Sequence, residues 1–316
     1  MSDGCNGAGP AGLWVGIDEA GYGPNLGPLV MTAVVAEGGR APDVWADLAA
    51  SVCRAGGPVD RLWVDDSKLV YAGRKGRDRL DAACLAAVAA SGRGRPVTLG
   101  GLLETVNAGS LAEVELTHWI EDDPPLASES PSPALHCEHW RIVEVRSVVV
   151  GPARFNADLE ATGSKARVHF RAFARLLGHV WGLVREEAPA SVLSDKHGGR
   201  HYYGAALADA IPDAWLDRGE EGPEMSRYTL RSGPRRLDLN LCPRADSGDG
   251  LVALASLVSK AIREFWMDAF NAHWTSRMPD LKPTAGYPGD SARFRAAIEA
   301  ACLERGLEPS VWWRAR

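Results

Sequence analysis

The chain has 316 residues, 46% of them hydrophobic and 24% charged, with a formal net charge of −6. That composition excludes a disordered tail, a collagen-like repeat and a small disulfide scaffold, and the length suits one large domain or two small ones. Taken as a single number, the −6 speaks against a nucleic-acid partner, because phosphate binders carry a basic footprint.

The opening residues MSDGCNGAGPAG lack the basic start and apolar stretch of a signal peptide, and no apolar run is long enough to span a bilayer. The six cysteines lie far apart with no CxxC pair, so reduced thiols in a cytoplasmic protein without a membrane partner are expected. Leu13 to Ile17 and Pro28 to Ala36 are short Val-rich apolar runs that predict buried strands, joined by a Gly- and Pro-punctuated turn over Glu19 to Gly27. Helical spacing over Gly73 to Ala90 predicts a helix, Trp140 to Val150 a strand, and Lys165 to Glu187 an amphipathic helix with Phe170, Phe173, Leu177, Val180 and Val184 on one face. Ser191 to Ser194 reads as a strand ending at Asp195, Leu251 to His273 as a long helix, and Asp290 to Arg305 as a last helix with Gly306 as its C-cap.

Two stretches read as insertions. The first, about 104–140, has a Pro- and Ser-rich middle, EDDPPLASESPSPA, expected to be a loop. The second, about 209–243, ends in a hairpin-like pattern around Ser232-Gly233-Pro234, with Tyr228 and Leu230 facing Leu237, Leu239 and Leu241.

The strongest chemical signal is Asp18-Glu19-Ala20-Gly21-Tyr22-Gly23-Pro24, directly after a buried strand. Two adjacent carboxylates there are costly unless a cation or solvent satisfies them, and Gly21 and Gly23 let the backbone press its N–H groups on a ligand. An exposed turn with two solvated acids explains the segment in isolation equally well. Asp195, followed by Lys196-His197-Gly198-Gly199-Arg200, suits a metal beside phosphate, or equally a common β-turn aspartate. On the long helix, Ser256, Lys260, Arg263, Glu264 and Met267 form a second stripe opposite the apolar one; it can present a metal ligand and phosphate contacts, or be a solvated charged face. Gly7 to Gly12 matches G-x-G-x-x-G but precedes the strand instead of following it, so it is no dinucleotide fingerprint. His136-Cys137-Glu138-His139 cannot converge on one ion, since adjacent residues point apart.

The order and spacing of these segments resemble the ribonuclease HII/HIII family. DEAGYGP with Leu26-Gly27-Pro28-Leu29-Val30 is similar to that family's DEAGRGP…GP opening, and Asp66-Ser67-Lys68-Leu69 to its DSK segment. Phe155-Asn156, Asp195, Arg244-Ala245-Asp246 leading into ASLVSKAIRE, Gly286-Tyr287 and Trp312-Trp313-Arg314 fall at further family positions. Tyr22 stands where the family has Arg, Glu264 where it has Asp, and the GY segment continues as Pro288-Gly289-Asp290. The resemblance implies an α/β, RNase H-like fold with a mixed central β-sheet flanked by helices, in one domain over 13–316 behind a tail over 1–12. It implies a metal site of Asp18, Glu19, Asp195 and Glu264 holding two Mg²⁺ or Mn²⁺ ions. Gly21, Tyr22 and Gly23 would then sense ribose, Lys68, Lys196, Lys260 and Arg263 would contact phosphates, and Ser256 and Tyr287 would complete the substrate surface. The implied substrate is an RNA–DNA hybrid or a DNA duplex with embedded ribonucleotides; a DNA nuclease of the same fold and a non-catalytic scaffold are the alternatives.

The −6 then divides. Pro96 to Trp140 holds eight acids and no Lys or Arg, so the remainder carries +2. Ser226 to Arg244 adds five Arg against one Asp. An acidic insertion lying away from a mildly basic groove is the expected arrangement.

Overall fold

The computed structural model describes residues 11–115, 123–126 and 133–315. In chain order the first elements are β1 (Gly12–Ala20), β2 (Leu29–Gly38), α1 (Val44–Asp47), β3 (Val52–Cys53), β4 (Leu62–Trp63), α2 (Ser67–Tyr71) and α3 (Gly76–Val88). Next come α4 (Leu99–Asn107), α5 (Leu111–Glu115), β5 (Trp140–Val150), α6 (Pro152–Thr162), α7 (Lys165–Leu183), β6 (Ala190–Asp195) and α8 (Gly204–Ala210). The chain closes with β7 (Trp215–Glu221), β8 (Ser226–Ser232), β9 (Arg235–Cys242), α9 (Ala245–Gly248), α10 (Gly250–Arg277) and α11 (Pro288–Glu304).

Among the described residues, seven strands form one mixed sheet in the order β5-β2-β1-β6-β9-β8-β7. β5, β2 and β1 pair antiparallel, β1, β6 and β9 pair parallel, and the β9-β8-β7 meander is antiparallel. This is the expected mixed sheet with helices on both faces. α3, α4 and α10 cover one face through Leu80, Leu102, Leu254 and Ile262; α7 and α8 cover the other through Phe173, Leu177 and Leu207. A third apolar cluster joins the far half of α10 to α11 and the C-terminal residues through Trp266, Phe270, Phe294 and Trp312. Among the described residues, no helix is long and apolar enough to cross a membrane.

The expected hairpin is present, with Tyr228 of β8 opposite Leu239 of β9 and Leu230 opposite Leu237, and its second strand, Arg235–Cys242, is also a central strand between β6 and β8. Its alternating Leu237, Leu239 and Leu241 are fully buried against α7 and α8 because the strand has neighbours on both edges. Where the first insertion begins, α4 packs into the core through Val106. Of the insertion's Pro-rich loop, Leu126 N–H bonds Val97 O at 2.9 Å and Asp123 accepts from Gly100 N; residues 121–122 and 127–132 lie outside the described residues. So do residues 1–10, most of the expected tail.

α10 crosses β1 at Gly16, where a Cβ would overlap the backbone of Leu251 and Val252. Asp249 fixes the helix start by accepting from Leu251 N (2.8 Å) and Val252 N (3.0 Å). Gly16→Val is expected to destabilise the fold by about 2–4 kcal/mol, because backbone cannot move aside as a side-chain tip can. Urea unfolding measures this, and wild-type stability in that variant would contradict the close crossing.

Candidate active site

The parallel register places the acids. Ile17 of β1 pairs with Ser194 of β6, Ser194 with Leu241 of β9, and Asp195 with Cys242. Asp18 and Asp195 therefore stand level at the C-terminal ends of neighbouring strands about 4.8 Å apart, where open α/β sheets bind ligands. Asp246 follows two residues into α9, just past the end of β9.

Adjacent strand positions point to opposite faces, so Asp18 and Glu19 straddle the sheet. Asp18 turns toward α10, where Ser256 hydrogen-bonds its carboxyl and Ser259 Oγ donates to its carbonyl at 3.0 Å. Burial, then repulsion by Glu19 and more weakly by Asp195, holds the Asp18 carboxyl well above its ordinary range, against the hydrogen bonds from Ser256 and Glu19 N. Glu19 turns toward α7, with Oε1 3.3 Å from Nε2 of buried His169. Tyr22 and His197 flank that imidazole edge-on, at 4.9 and 4.5 Å between ring centroids.

Burial also raises the Asp195 carboxyl, opposed by amides of Lys196, Ala245 and Arg244 that donate to it. Arg244 is left-handed, at φ +57° and ψ 40°, a conformation uncommon outside glycine, and that turn brings its amide round to Asp195. Asp246 is pushed up to about 6 by burial, then by Asp66 and Asp195, with Lys68 opposing. Asp18, Glu19, Asp195 and Asp246 thus act on one another in a chain of like charges.

The expected fourth acid, Glu264, is held elsewhere. Its carboxylate accepts from Tyr71 Oη (3.0 Å) and Lys260 Nζ (3.2 Å) and lies 3.5 Å from Arg263 Nη1. It completes an ion-pair group between α2 and α10, while Asp246 takes the place beside Asp195. The expectation left Asp246 out of the metal site although it stands in the Arg244-Ala245-Asp246 segment: Asp18 and Asp195 lie within their strands, whereas this acid comes four residues after the end of β9.

Two other expected phosphate contacts are structural. Lys196 is 7% exposed, and its ammonium donates to Gly222 O and to Ser226 Oγ (3.1 Å), tying the loop after β6 to the β7–β8 turn. Arg263 is 2% exposed and donates to Leu26 O (3.3 Å) and Ala285 O (2.8 Å), beneath the loop after β1. Lys260 lies 4.3 Å over the Tyr71 ring and is bonded to Glu264. Ser256 touches Asp18 and Ser67 Oγ (3.2 Å), so it links α10 to the Asp66-Ser67-Lys68 segment and does not face solvent. Lys68 is exposed at the rim, as is Tyr287, which stacks at 5.4 Å on Arg263.

The Gly21–Gly27 loop is clamped from below. Gly21 has φ +86°, and a side chain there would strike Pro28 O and Arg263. The fully buried Arg314 donates to Gly21 O (2.5 Å) and Tyr22 O (2.9 Å) and lies 4.1 Å over Phe155. Burial, then repulsion by Arg263, lowers that guanidinium to about 9. With the carbonyls of Gly21 and Tyr22 tied down and Gly23 exposed, the loop offers its outer backbone to a ligand. Arg314 stands out in the sequence only as part of Trp312-Trp313-Arg314, with no role attached, because its partners are nearly 300 residues away in the chain.

Among the described residues no three His, Cys, Asp or Glu side chains converge to cage one ion. The donor set still fits hard divalent cations, since Mg²⁺ takes oxygen ligands, keeps several waters and needs only one or two carboxylates beside a substrate phosphate. Mutually repelling acids, with the carboxyls of Asp18, Asp195 and Asp246 pushed up, are what such a charge would relieve. Of the acidic stretch, buried Glu113 is taken up by Gly151 N (3.1 Å) and lies 3.9 Å from Arg154, so that charge is answered locally.

No protein-family model and no curated protein sequence matches this chain. Among solved structures it is similar to ribonuclease HII of Archaeoglobus fulgidus in complex with PCNA, at 15% identity over 96% of this chain and 94% of that one, TM-score 0.42. It is likewise similar to ribonuclease H2 of Pyrococcus horikoshii, at 14% identity over 95% and 92% of the two chains, TM-score 0.41. Bst-RNase HIII in complex with Mn²⁺ shares 17% identity over 96% of this chain and 66% of that one, TM-score 0.45.

The folded, metal-free protein holds the protons of Asp18, Asp195 and Asp246 more tightly than the unfolded chain does, so its stability falls as pH rises from the ordinary carboxylate range near 4 through about 6, where Asp246 titrates. Asp18→Asn removes one of the repelling charges and is expected to raise the metal-free Tm at neutral pH by about 2–4 °C. Differential scanning calorimetry in EDTA checks this; a lower Tm would contradict the crowding.

Proposed function

We propose that this chain is a metal-dependent endonuclease of the ribonuclease H type, hydrolysing the RNA strand of RNA–DNA hybrids or ribonucleotides embedded in duplex DNA. One observation carries the reading: Asp18, Glu19, Asp195 and Asp246 gather at the ends of three parallel strands, beside a loop whose outer backbone is free and whose inner carbonyls are pinned. Hybrid-directed sugar recognition needs backbone or side-chain groups that meet a 2′-hydroxyl, and a rigid loop supplies them at fixed positions.

Two divalent ions, Mg²⁺ or Mn²⁺, held by these four carboxylates would stabilise charge on the attacking and leaving oxygens of the phosphodiester and make water a better nucleophile. The chain's own groups set the geometry. Ser256 and Glu19 N orient Asp18, His169 abuts Glu19, and the amides of Lys196, Arg244 and Ala245 orient Asp195. Lys68 at the rim is placed for a substrate phosphate, and Tyr22 and Tyr287 offer ring faces to a sugar or base. Glu264 supports Lys260 and Tyr71 from outside this group.

The test uses the purified chain with Mg²⁺ or Mn²⁺ on labelled hybrid, single-ribonucleotide and all-DNA duplexes. Cleavage of the first two and not the third is expected. Asp18→Asn and Asp246→Asn should each lower the rate by about 10²–10³-fold or more, as the loss of groups that hold transition-state charge does. Glu264→Gln should cost less than about tenfold, one factor of ten being about 1.4 kcal/mol of transition-state stabilisation. Absence of cleavage under both metals overturns the reading; cutting of the all-DNA duplex reassigns the substrate to DNA.

A further inference from the structure

We propose that the cleft between α7 and α8 binds a backbone phosphate of the same nucleic acid, extending the substrate surface along α7 beyond the carboxylates. The inference rests on the nuclease reading above. The cleft has a volume of about 550 Å³ and is lined by Arg167, Phe170, Arg171 and Arg200, with Asp209 as its acid.

Its position follows from the course of α7. His169, near the start of the helix, abuts Glu19, whereas Leu183 at its end lines a different cleft beside Leu13, at the opposite end of β1. Arg200 lies five residues after Asp195, in the loop leaving the same end of β6. The cleft therefore opens at the carboxylate end of the sheet, on the α7 side.

The chemistry of the lining is that of a phosphate site. The Arg200 guanidinium lies 4.9 Å from the Phe170 ring and 5.3 Å from the Tyr203 ring, which hold its plane. Its Nη1 is buried with no hydrogen-bond partner. An unsatisfied buried guanidinium donor is costly, and a phosphate oxygen is the acceptor that fits its fork. Arg167 is exposed; Arg171 pairs with Asp158 at 2.7 Å and keeps 45% of its side chain in solvent. Arg167, Arg171 and Arg175 recur every fourth residue on α7, about 6 Å apart along the axis. Like charges at that spacing weaken a helix. Asp158 and Glu113 answer this stripe only in part, since burial and then Arg154 lower the Arg175 guanidinium. A polyanion laid along α7 relieves both the stripe and the orphaned donor.

The experiment measures binding of a labelled hybrid duplex to the Asp18→Asn protein in Mg²⁺ across a salt series. With Arg167→Gln and Arg200→Gln added, the slope of log K against log salt should fall by about 1–2, since each phosphate contact contributes about 0.9. Arg167→Lys with Arg200→Lys should keep most of the slope, which a loss of packing would not restore. Tm values confirm folding, and if the double variant unfolds, Arg167→Gln alone, at an exposed site, should lower the slope by about 1. Equal slopes overturn the proposal while leaving the nuclease reading intact. A Tm rise with inorganic phosphate that the Gln variants lose, with the duplex slope unchanged, would make the cleft a site for free phosphate and overturn its assignment to nucleic acid. Failure of the Arg-intact protein to bind any duplex would instead overturn the nuclease reading.

Discussion

The site depends on how closely α10 lies on β1. With no side chain at Gly16, the first turn of the helix reaches the strand's backbone. From that crossing, residues spaced three and four apart face β1 and the loop after it: Ser256 meets the Asp18 carboxyl, Ser259 its carbonyl, and Arg263 the carbonyl of Leu26. Ser259 Oγ also bonds Thr32, and Thr32 bonds Ser147, each at 2.8 Å, so a buried hydroxyl chain ties the helix to β2 and β5. One helix–strand contact thereby sets an acid, its backbone and the loop beside it.

What that contact holds in place is unfavourable by itself. Asp18 is a buried acid and Asp195 a half-buried one, and they repel one another; Arg263 and Arg314 are buried guanidiniums that repel each other beneath the loop. The two arginines nevertheless satisfy carbonyls that a tight, Gly-rich loop cannot pair within itself. The strain is placed where a ligand's opposite charge would offset it, which is the usual relation between a site and the stability of its fold.

Charge is distributed in the same spirit. The net −6 averages an acidic segment over 96–140 with a remainder of +2. On the described part of that segment, Glu113 and Asp123 bond backbone amides of Gly151 and Gly100. On the basic side, Arg235 anchors to Val184 O, whereas Arg167 keeps its charge at the surface. Net charge reports none of this, because potential depends on which charges are locally answered.

The sequence by itself determined the strands and the long helices, because apolar periodicity is a local property of the chain. Asp18, Glu19 and Asp195 were legible as acids at strand ends, and the Gly21–Gly23 loop as a place of close backbone approach. It could not decide among chemically equivalent side chains. Glu264 and Asp246 are both carboxylates near α10, but one lies on a helix face beside Tyr71 and Lys260 and the other past the end of a strand beside Asp195. Lys196 and Arg263 looked like phosphate contacts, and tertiary packing turned them inward onto carbonyls. Arg235–Cys242 was legible as one side of a hairpin, but only its pairing with β6 makes it a central strand. Only the tertiary structure decided these points, since which charge is buried, which is paired and which stays free depends on neighbours far away in the chain.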